Sequence, residues 1–295
     1  MSEPIGRLDE WVAILRDVVS VNSPELLDLF DIYATEAKFG REFIAHNLEK
    51  LRFNASILEI GAGSLILSSQ LTREGCKVTA LEPIGLGFSH FEQLREIVLK
   101  QAQEHNCLPI LLEIPAEQLE IEEQFDFAFS INVMEHVVNV NQVIKRVAAS
   151  LKEGSSYKFT CPNYTFPYEP HFDIPTLLFK NLTEKVFNKK IHNAQNIDNP
   201  TALWKSLNWI TVLQIRQLFR RLRGFKVSFG KELLQVMILR AINDAQFSAR
   251  RSSWLKSGLN VFVKLGLHKL IFIIPAIFHP VIDCTVTKLP VVVRT

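Results

Sequence analysis

The stretch "SILEIGAGSLILSSQL", Ser56–Leu71, joins a short apolar segment to a glycine turn and then to a helical pattern. "SILEI" is the kind of run that a strand buried on both faces requires. "GAGS" lets the backbone turn sharply and lets a ligand come close to it. The helix that follows presents free N–H groups and the positive end of its dipole toward the turn. Several nucleotide-binding folds use this device. The stretch therefore sets a question: which ligand lies over the turn.

Working outward, the chain reads as an alternation. "KVTALE" is a second strand ending at Glu82, and "FSHFEQLREIVLKQAQEH" is a helix with Ser89 as its cap. "LPILLEI" and "FDFAFSI" are further strands. "NVNQVIKRVAASLKEG" is a helix closing on Gly154, and "SSYKFTCP" is a fifth strand. Such alternation predicts an α/β fold with a mostly parallel sheet covered by helices on both faces. Before it, residues 8–52 read as three helices, with Ser23 capping the second and Pro24 at its first position. After Pro162 the rhythm breaks into the proline-rich loop "NYTFPYEPHFDIP" and an irregular polar stretch at 188–200. A basic amphipathic helix, "ITVLQIRQLFRRLRG", then ends at Gly224. "FKVSFG" and "VIDCTVTKLP" read as sixth and seventh strands, with a helical substructure between them at about 231–280.

Three details narrow the ligand. Gly61 and Gly63 are present, but the third glycine of a dinucleotide fingerprint is replaced by Ile66, and no Gly-Lys-Ser/Thr ending marks a phosphate loop. Glu59 stands two residues before the first glycine, where a carboxylate suits an ammonium and not a pyrophosphate. Glu82 ends the second strand, where a carboxylate can accept both hydroxyls of a ribose. A ligand with an ammonium, a ribose and no phosphate is S-adenosyl-L-methionine (SAM).

On these residues the sequence resembles the class I SAM-dependent methyltransferases. "LEIGAGS", "TALEP", "IPAEQL" and "FDFAFSINVMEHV" fall in the order and spacing of that family's motifs, and the last glycine of its G-x-G-x-G is Leu65 here. The resemblance implies a Rossmann-like, seven-stranded sheet with its last strand reversed. It also implies SAM as cofactor, with S-adenosyl-L-homocysteine as product, and a cofactor site of Glu59, Gly61, Ala62, Gly63, Glu82, Pro83, Ala116, Glu117, Asn132 and Val133. Ala116 and Glu117 would take the adenine edge. The expected organisation is an N-terminal helical cap at 1–54, a SAM-binding core at 55–162, a substrate loop and helices at 163–223, and a return to the core at 224–295 that carries the helical insertion.

Methyl transfer from a sulfonium is an in-line displacement, so the protein must chiefly align the acceptor and exclude water. An oxygen acceptor of high pKa gains from a base. The loop after the fifth strand lies at the carboxyl end of the sheet, where ligands bind in open α/β folds. His171 is the favoured base there, with His136 the second candidate, and Asn163, Tyr168 and Glu169 are candidate substrate contacts. Each also has a structural reading, such as tying down a proline-rich loop.

The chain is 47% apolar, ample for a core. Its net charge of +2 hides an asymmetry: residues 1–180 hold 15 Lys/Arg and 26 Asp/Glu (15 − 26 = −11), and residues 181–270 hold 16 and 4 (16 − 4 = +12). A basic, apolar insertion suits an anionic or amphiphilic small molecule, and it leaves open a cap over the active site, a dimer surface or peripheral contact with the inner face of a membrane. The polar N-terminus and four scattered cysteines point to a cytoplasmic protein with reduced thiols. No CxxC pair or histidine at ligand spacing accompanies those cysteines, so no metal is expected. The reading is a methyltransferase acting on an O or N atom of a small or lipid-like metabolite. The alternatives are an RNA methyltransferase, disfavoured because no RNA-binding module is evident, and a non-catalytic partner protein that keeps the fold. A nicotinamide oxidoreductase is disfavoured by Ile66.

Overall fold

Strand β1, Ser56–Ile60, is the axis of the sheet. It pairs in parallel with β2, Lys77–Leu81, on one side and with β4, Phe125–Ile131, on the other. The computed structural model describes residues 7–83, 90–177, 179–195, 197, 199–243, 253–266, 268 and 272–290. Ser89, the expected helix cap, lies outside the described residues. The sheet order is β3-β2-β1-β4-β5-β7-β6, with β3 at Ile110–Leu112, β5 at Leu151–Pro162, β6 at Phe225–Phe229 and β7 at Val281–Lys288. The Asn163 N–H that follows β5 donates to the Pro280 carbonyl just before β7, at 2.9 Å. Lys288 Nζ at the far end of β7 reaches the Leu151 carbonyl at 2.8 Å. The end of β5 thus meets the start of β7, and the two run antiparallel, as the resemblance implied. Ile57, Leu58 and Ile60 are buried on both faces, which is why β1 reads as a continuous apolar run.

By compactness the chain divides into two units. The first comprises Met1–Ile131, Gln142–Lys158 and Thr287–Thr295; the second comprises Asn132–Asn141 and Phe159–Val286.

In the first unit, α1 (Leu8–Asn22) and α2 (Leu27–Leu48) pack together. The Trp11 ring is fully buried, edge-on to His105 at 5.6 Å between centroids and under the Arg73 guanidinium at 5.0 Å. Three helices were expected over 8–52. Instead α2 runs unbroken through Gly40, whose lack of a side chain lets the helix approach the sheet. A Cβ there would stand 2.5 Å from Ile131 Cδ1 and 2.9 Å from Leu67 Cδ2. Ser23 does not cap by its side chain; a single 3-10 turn, Pro24–Leu26, leads into α2. The remaining helices of this unit are α3 (Ile66–Arg73), α4 (His90–Glu104) and α5 (Val140–Ser150, its first two residues in the other unit), with a 3-10 turn at Ala116–Gln118. Helix α5 stops at Ser150, short of the expected Gly154. The N–H groups of Glu123 and Gln124 donate to the carbonyls of Ala149 and Ser150 at 3.0 and 2.8 Å, so its last carbonyls need no glycine cap. Gly154, at φ +77°, lies inside β5.

The second unit contains α6 (Lys180–His192), α7 (Pro200–Ser206) and α8 (Val212–Arg221). Thr211 caps α8 and Asn199 caps α7, each accepting a backbone N–H three residues on. The irregular reading of 188–200 is corrected, because α6 extends to His192. Its apolar face is narrow: Ile191 and Phe187 join Phe172, Ile174 and Trp204 in a small core, while Lys189 and Lys190 face outward. In the insertion, α9 (Glu232–Asn243) packs on α10 (Ser253–Lys264), with Leu234 and Ile238 against Leu259, Phe262 and Val263.

One backbone feature in the first unit sets a test. Leu65, standing where the resemblance has glycine, adopts φ +64° with a fully buried side chain. Left-handed backbone costs a leucine about 1–2 kcal/mol, whereas deleting a buried leucine costs roughly 2–5 kcal/mol. Leu65→Gly should therefore lower stability, by about 1–3 kcal/mol in a denaturant titration. An unchanged or higher midpoint would show that backbone strain outweighs the packing of this side chain.

Candidate functional site

Two sets of polar residues stand out, one in each unit. The first is built on the glycine turn. Gly61 (φ +71°) and Gly63 (φ +51°) adopt backbone that favours glycine. The N–H groups of Gly61 and Ala62 both donate to the Leu81 carbonyl at the end of β2, at 2.8 and 3.3 Å. The Gly63 N–H donates to Glu82 Oε2 at 2.9 Å. Glu82 is positioned by its own N–H, which donates to the Leu112 carbonyl of β3 at 3.0 Å. Burial raises its pKa, opposed by the Gly63 N–H and the Arg95 charge.

Glu59 is almost completely enclosed at the end of β1, and its carboxylate accepts the Ser68 hydroxyl. Burial pushes its pKa up to about 8, against the Ser68 hydrogen bond; the nearby charge of Glu82 adds to the rise. Ala116 is buried at the start of the 3-10 turn, and the Glu117 carbonyl accepts Gln142 Nε2 at 3.1 Å. Pro83 follows Glu82 directly. Glu59, Gly61, Ala62, Gly63 and Glu82 are thus brought together at the carboxyl ends of β1 and β2.

The second set lies in the other unit. Asn132 turns the chain after β4 with φ +54°, its N–H on the Thr160 carbonyl at 2.9 Å, and Val133 follows in the same turn. Glu135 is fully buried, with neither carboxylate oxygen hydrogen-bonded. Burial raises its pKa to about 7, partly offset by His171. His136 Nε2 lies 3.9 Å from Glu135 Oε1, and its Nδ1 shares a 2.9 Å hydrogen bond with Ser206 Oγ. Burial, and then the charge of His171, lowers its pKa to about 3, so it is neutral at pH 7. The rings of His136 and His171 meet edge-on at 5.5 Å. His171 Nδ1 is 2.5 Å from Glu169 Oε1, and Glu169 Oε2 accepts the Phe172 N–H at 2.7 Å. One donor atom from each of Glu135, His136 and His171 lies within 4.8 Å of the other two.

The remaining loop residues are tied into the fold. Asn163 Nδ2 donates to the carbonyls of Ile277 and His279 at 3.0 and 2.8 Å, and its Oδ1 accepts the N–H groups of Thr165 and Val212. A substrate contact from Asn163 would have to break these bonds. Tyr168 donates its hydroxyl to Asp173 Oδ1 at 2.6 Å. The sequence reading gave little weight to Glu135 and none to Ser68 or Ser206. The adjacent pair Glu135-His136 was a visible signal, but its partner His171 is brought in only by the fold.

The chain is similar to several known proteins. A model of the methyltransferase domain matches residues 33–228. An uncharacterized protein of Mycobacterium tuberculosis is 41% identical over 281 residues, 95% of each chain. A ubiquinone biosynthesis O-methyltransferase of Shewanella pealeana is 26% identical over 205 residues, 62% of this chain and 83% of that one. Among solved structures, phosphoethanolamine N-methyltransferase 2 of Haemonchus contortus aligns over 94% of this chain at 15% identity with a TM-score of 0.47; the chain spans 60% of that enzyme. With the domain model covering most of its length, this chain belongs to the class I SAM-dependent methyltransferases, and its cofactor is SAM.

Proposed function

We propose that the chain moves the methyl group of SAM to an oxygen or nitrogen of a small or lipid-like metabolite, with oxygen favoured. The observation that carries the reading is the pair of carboxylates, Glu59 and Glu82, set around the positive-φ turn Gly61–Gly63. Bound SAM supplies a sulfonium-activated methyl group. Glu59 offers a buried carboxyl to an ammonium, which would stabilise its ionised form and compensate its desolvation. Glu82 spends Oε2 on the Gly63 N–H and presents Oε1 to a ribose hydroxyl. Ala116 and Glu117 line the adenine edge.

The acceptor class rests on the second unit. The Shewanella relative is an O-methyltransferase of ubiquinone biosynthesis, and ubiquinone is a hydrophobic quinone, which supports an oxygen acceptor on an apolar molecule. A groove of about 460 Å³ is lined by Arg216, Phe229, Lys231, Ile273 and Ala276. Beside it Phe272, Ile273, Ile274 and Phe278 are exposed. Basic and apolar groups side by side suit an amphiphile with an anionic or polar head. No helix among the described residues is long and apolar enough to cross a membrane. His171, held by Glu169, is assigned to the acceptor side, where a proton must leave an attacking hydroxyl.

Three outcomes are expected. Glu82→Ala should weaken SAM binding by roughly 1–3 kcal/mol in calorimetry; unchanged affinity would displace the ribose from this carboxylate. Glu59, with a folded pKa near 8 against 4.5 when free, is protonated in the unliganded fold at neutral pH. Its contribution to stability is therefore full below pH 4.5 and lost as pH rises toward 8. SAM binding releases that proton, so affinity should rise with pH up to about 8, by at most about tenfold per unit. Glu59→Gln should flatten both profiles, and an equally steep affinity profile in the variant would remove Glu59 from the ammonium site. Incubation with methyl-labelled SAM and a cell extract should place label in the organic phase, and His171→Ala should cut that turnover while leaving SAM affinity intact. Label confined to the aqueous phase would reject a lipid-like acceptor.

A further inference from the structure

The second unit holds two fully buried carboxylates close together, Glu135 and Glu169, and neither is paired with a lysine or arginine among the described residues. Their surroundings differ. Glu169 is saturated: it takes the Phe172 N–H at 2.7 Å, His171 Nδ1 at 2.5 Å and the Tyr164 hydroxyl at 3.4 Å. Glu135 has both oxygens closed to solvent and neither hydrogen-bonded. An unsatisfied buried carboxylate is among the most costly groups a fold can keep. It calls for a counter-charge.

What faces Glu135 is a pair of imidazoles, each held through Nδ1. Ser206 Oγ holds His136 and Glu169 holds His171. With Nδ1 engaged, Nε2 is the nitrogen each ring can give to a metal. Orientation of a histidine by a carboxylate or hydroxyl on its far nitrogen is the usual outer layer of a metal site. Donor atoms of Glu135, His136 and His171 lie within 4.8 Å of one another, a span that one ion can bridge with small side-chain shifts.

We propose that Glu135, His136 and His171 form a site for one divalent transition-metal ion, with Glu169 and Ser206 as the residues that orient the two imidazoles. Two nitrogens and one carboxylate oxygen are a borderline donor set that suits Zn²⁺, Co²⁺ or Fe²⁺ better than Mg²⁺ or Ca²⁺. The ion's two positive charges match the two carboxylates, one binding it directly and one through His171. Three protein ligands leave a position for a water or for an oxygen of a bound molecule. If that oxygen is the acceptor hydroxyl, coordination makes it more acidic, and His171 serves as a ligand in place of a base. The site itself does not depend on the class of acceptor.

The test uses the full, tag-free chain, stripped with EDTA, dialysed, and titrated with Zn²⁺, Co²⁺ and Mg²⁺ in the absence of SAM. One tight Zn²⁺ per chain is expected, with weaker Mg²⁺, and bound Co²⁺ should show visible bands more intense than those of the hydrated ion. Glu135→Gln and His171→Asn should each weaken Zn²⁺ at least tenfold. Glu169→Gln should weaken it by about 10–100-fold, the range for an orienting residue. Glu184→Gln, which alters the half-buried His192–Glu184 pair, should leave it unchanged. Equal Zn²⁺ affinity in wild type and Glu135→Gln, or no binding by wild type, overturns the proposal. Should a variant fail to fold, the Co²⁺ spectrum of the wild type decides: intensified bands support the site, and the spectrum of the hydrated ion rejects it. None of these readouts involves methyl transfer.

Discussion

The hydrogen bond from the Gly63 N–H to the Glu82 carboxylate, 2.9 Å long, fixes the geometry on which the first unit depends. Together with the N–H groups of Gly61 and Ala62 on the Leu81 carbonyl, it laces the loop after β1 to the end of β2. These bonds run between backbone and the neighbouring strand, so the loop takes its shape from the sheet and not from its own turn preference. The start of α3, and with it Ser68 against Glu59, follows from where that loop ends. One side chain at the tip of a strand thereby acts as a strut for the turn, and it is the same side chain proposed to accept the ribose.

Four acidic residues show how differently burial can be compensated in one chain. Glu82 has a backbone N–H and a nearby arginine charge. Glu59 has a single hydroxyl. Glu169 has an imidazole, an N–H and a more distant phenol. Neither carboxylate oxygen of Glu135 is hydrogen-bonded. The four differ in how far the fold itself satisfies them, from three partners at Glu169 to none at the carboxylate oxygens of Glu135.

Much of the first unit was legible because its strands are buried on both faces and read as unbroken apolar runs, as in "SILEI" and "FDFAFSI". The glycine turn and its two acids were legible for a related reason: they lie within one strand-turn-helix-strand unit, where spacing alone puts them together. What escaped depended on distant partners. The continuity of α2 through Gly40 follows from how closely that helix meets Leu67 and Ile131. The end of α5 was misplaced because the groups that satisfy its last carbonyls come from the approach to β4. Helix α6 looked irregular because only a thin apolar seam around Ile191 faces the core, among lysines and asparagines that carry no periodic signal. The cluster of Glu135, His136 and His171 was half visible as a neighbouring pair, and its third member arrives through the folding of the proline-rich loop.

The placement of the tryptophans gives the molecule an optical handle on each half. By sequence the first unit contains Trp11 alone, while Trp204, Trp209 and Trp254 fall in the second, where the rings of Trp204 and Trp209 meet edge-on at 6.3 Å. Trp11 is sealed beneath a guanidinium, whereas Trp209 stacks on Tyr164 at 5.2 Å, one phenol away from Glu169. Emission from Trp11 therefore reports the integrity of the helices around the sheet, and emission from Trp209 reports the state of the acidic loop. A chain keeping one indole at a time would let the melting of each unit be followed by its own colour.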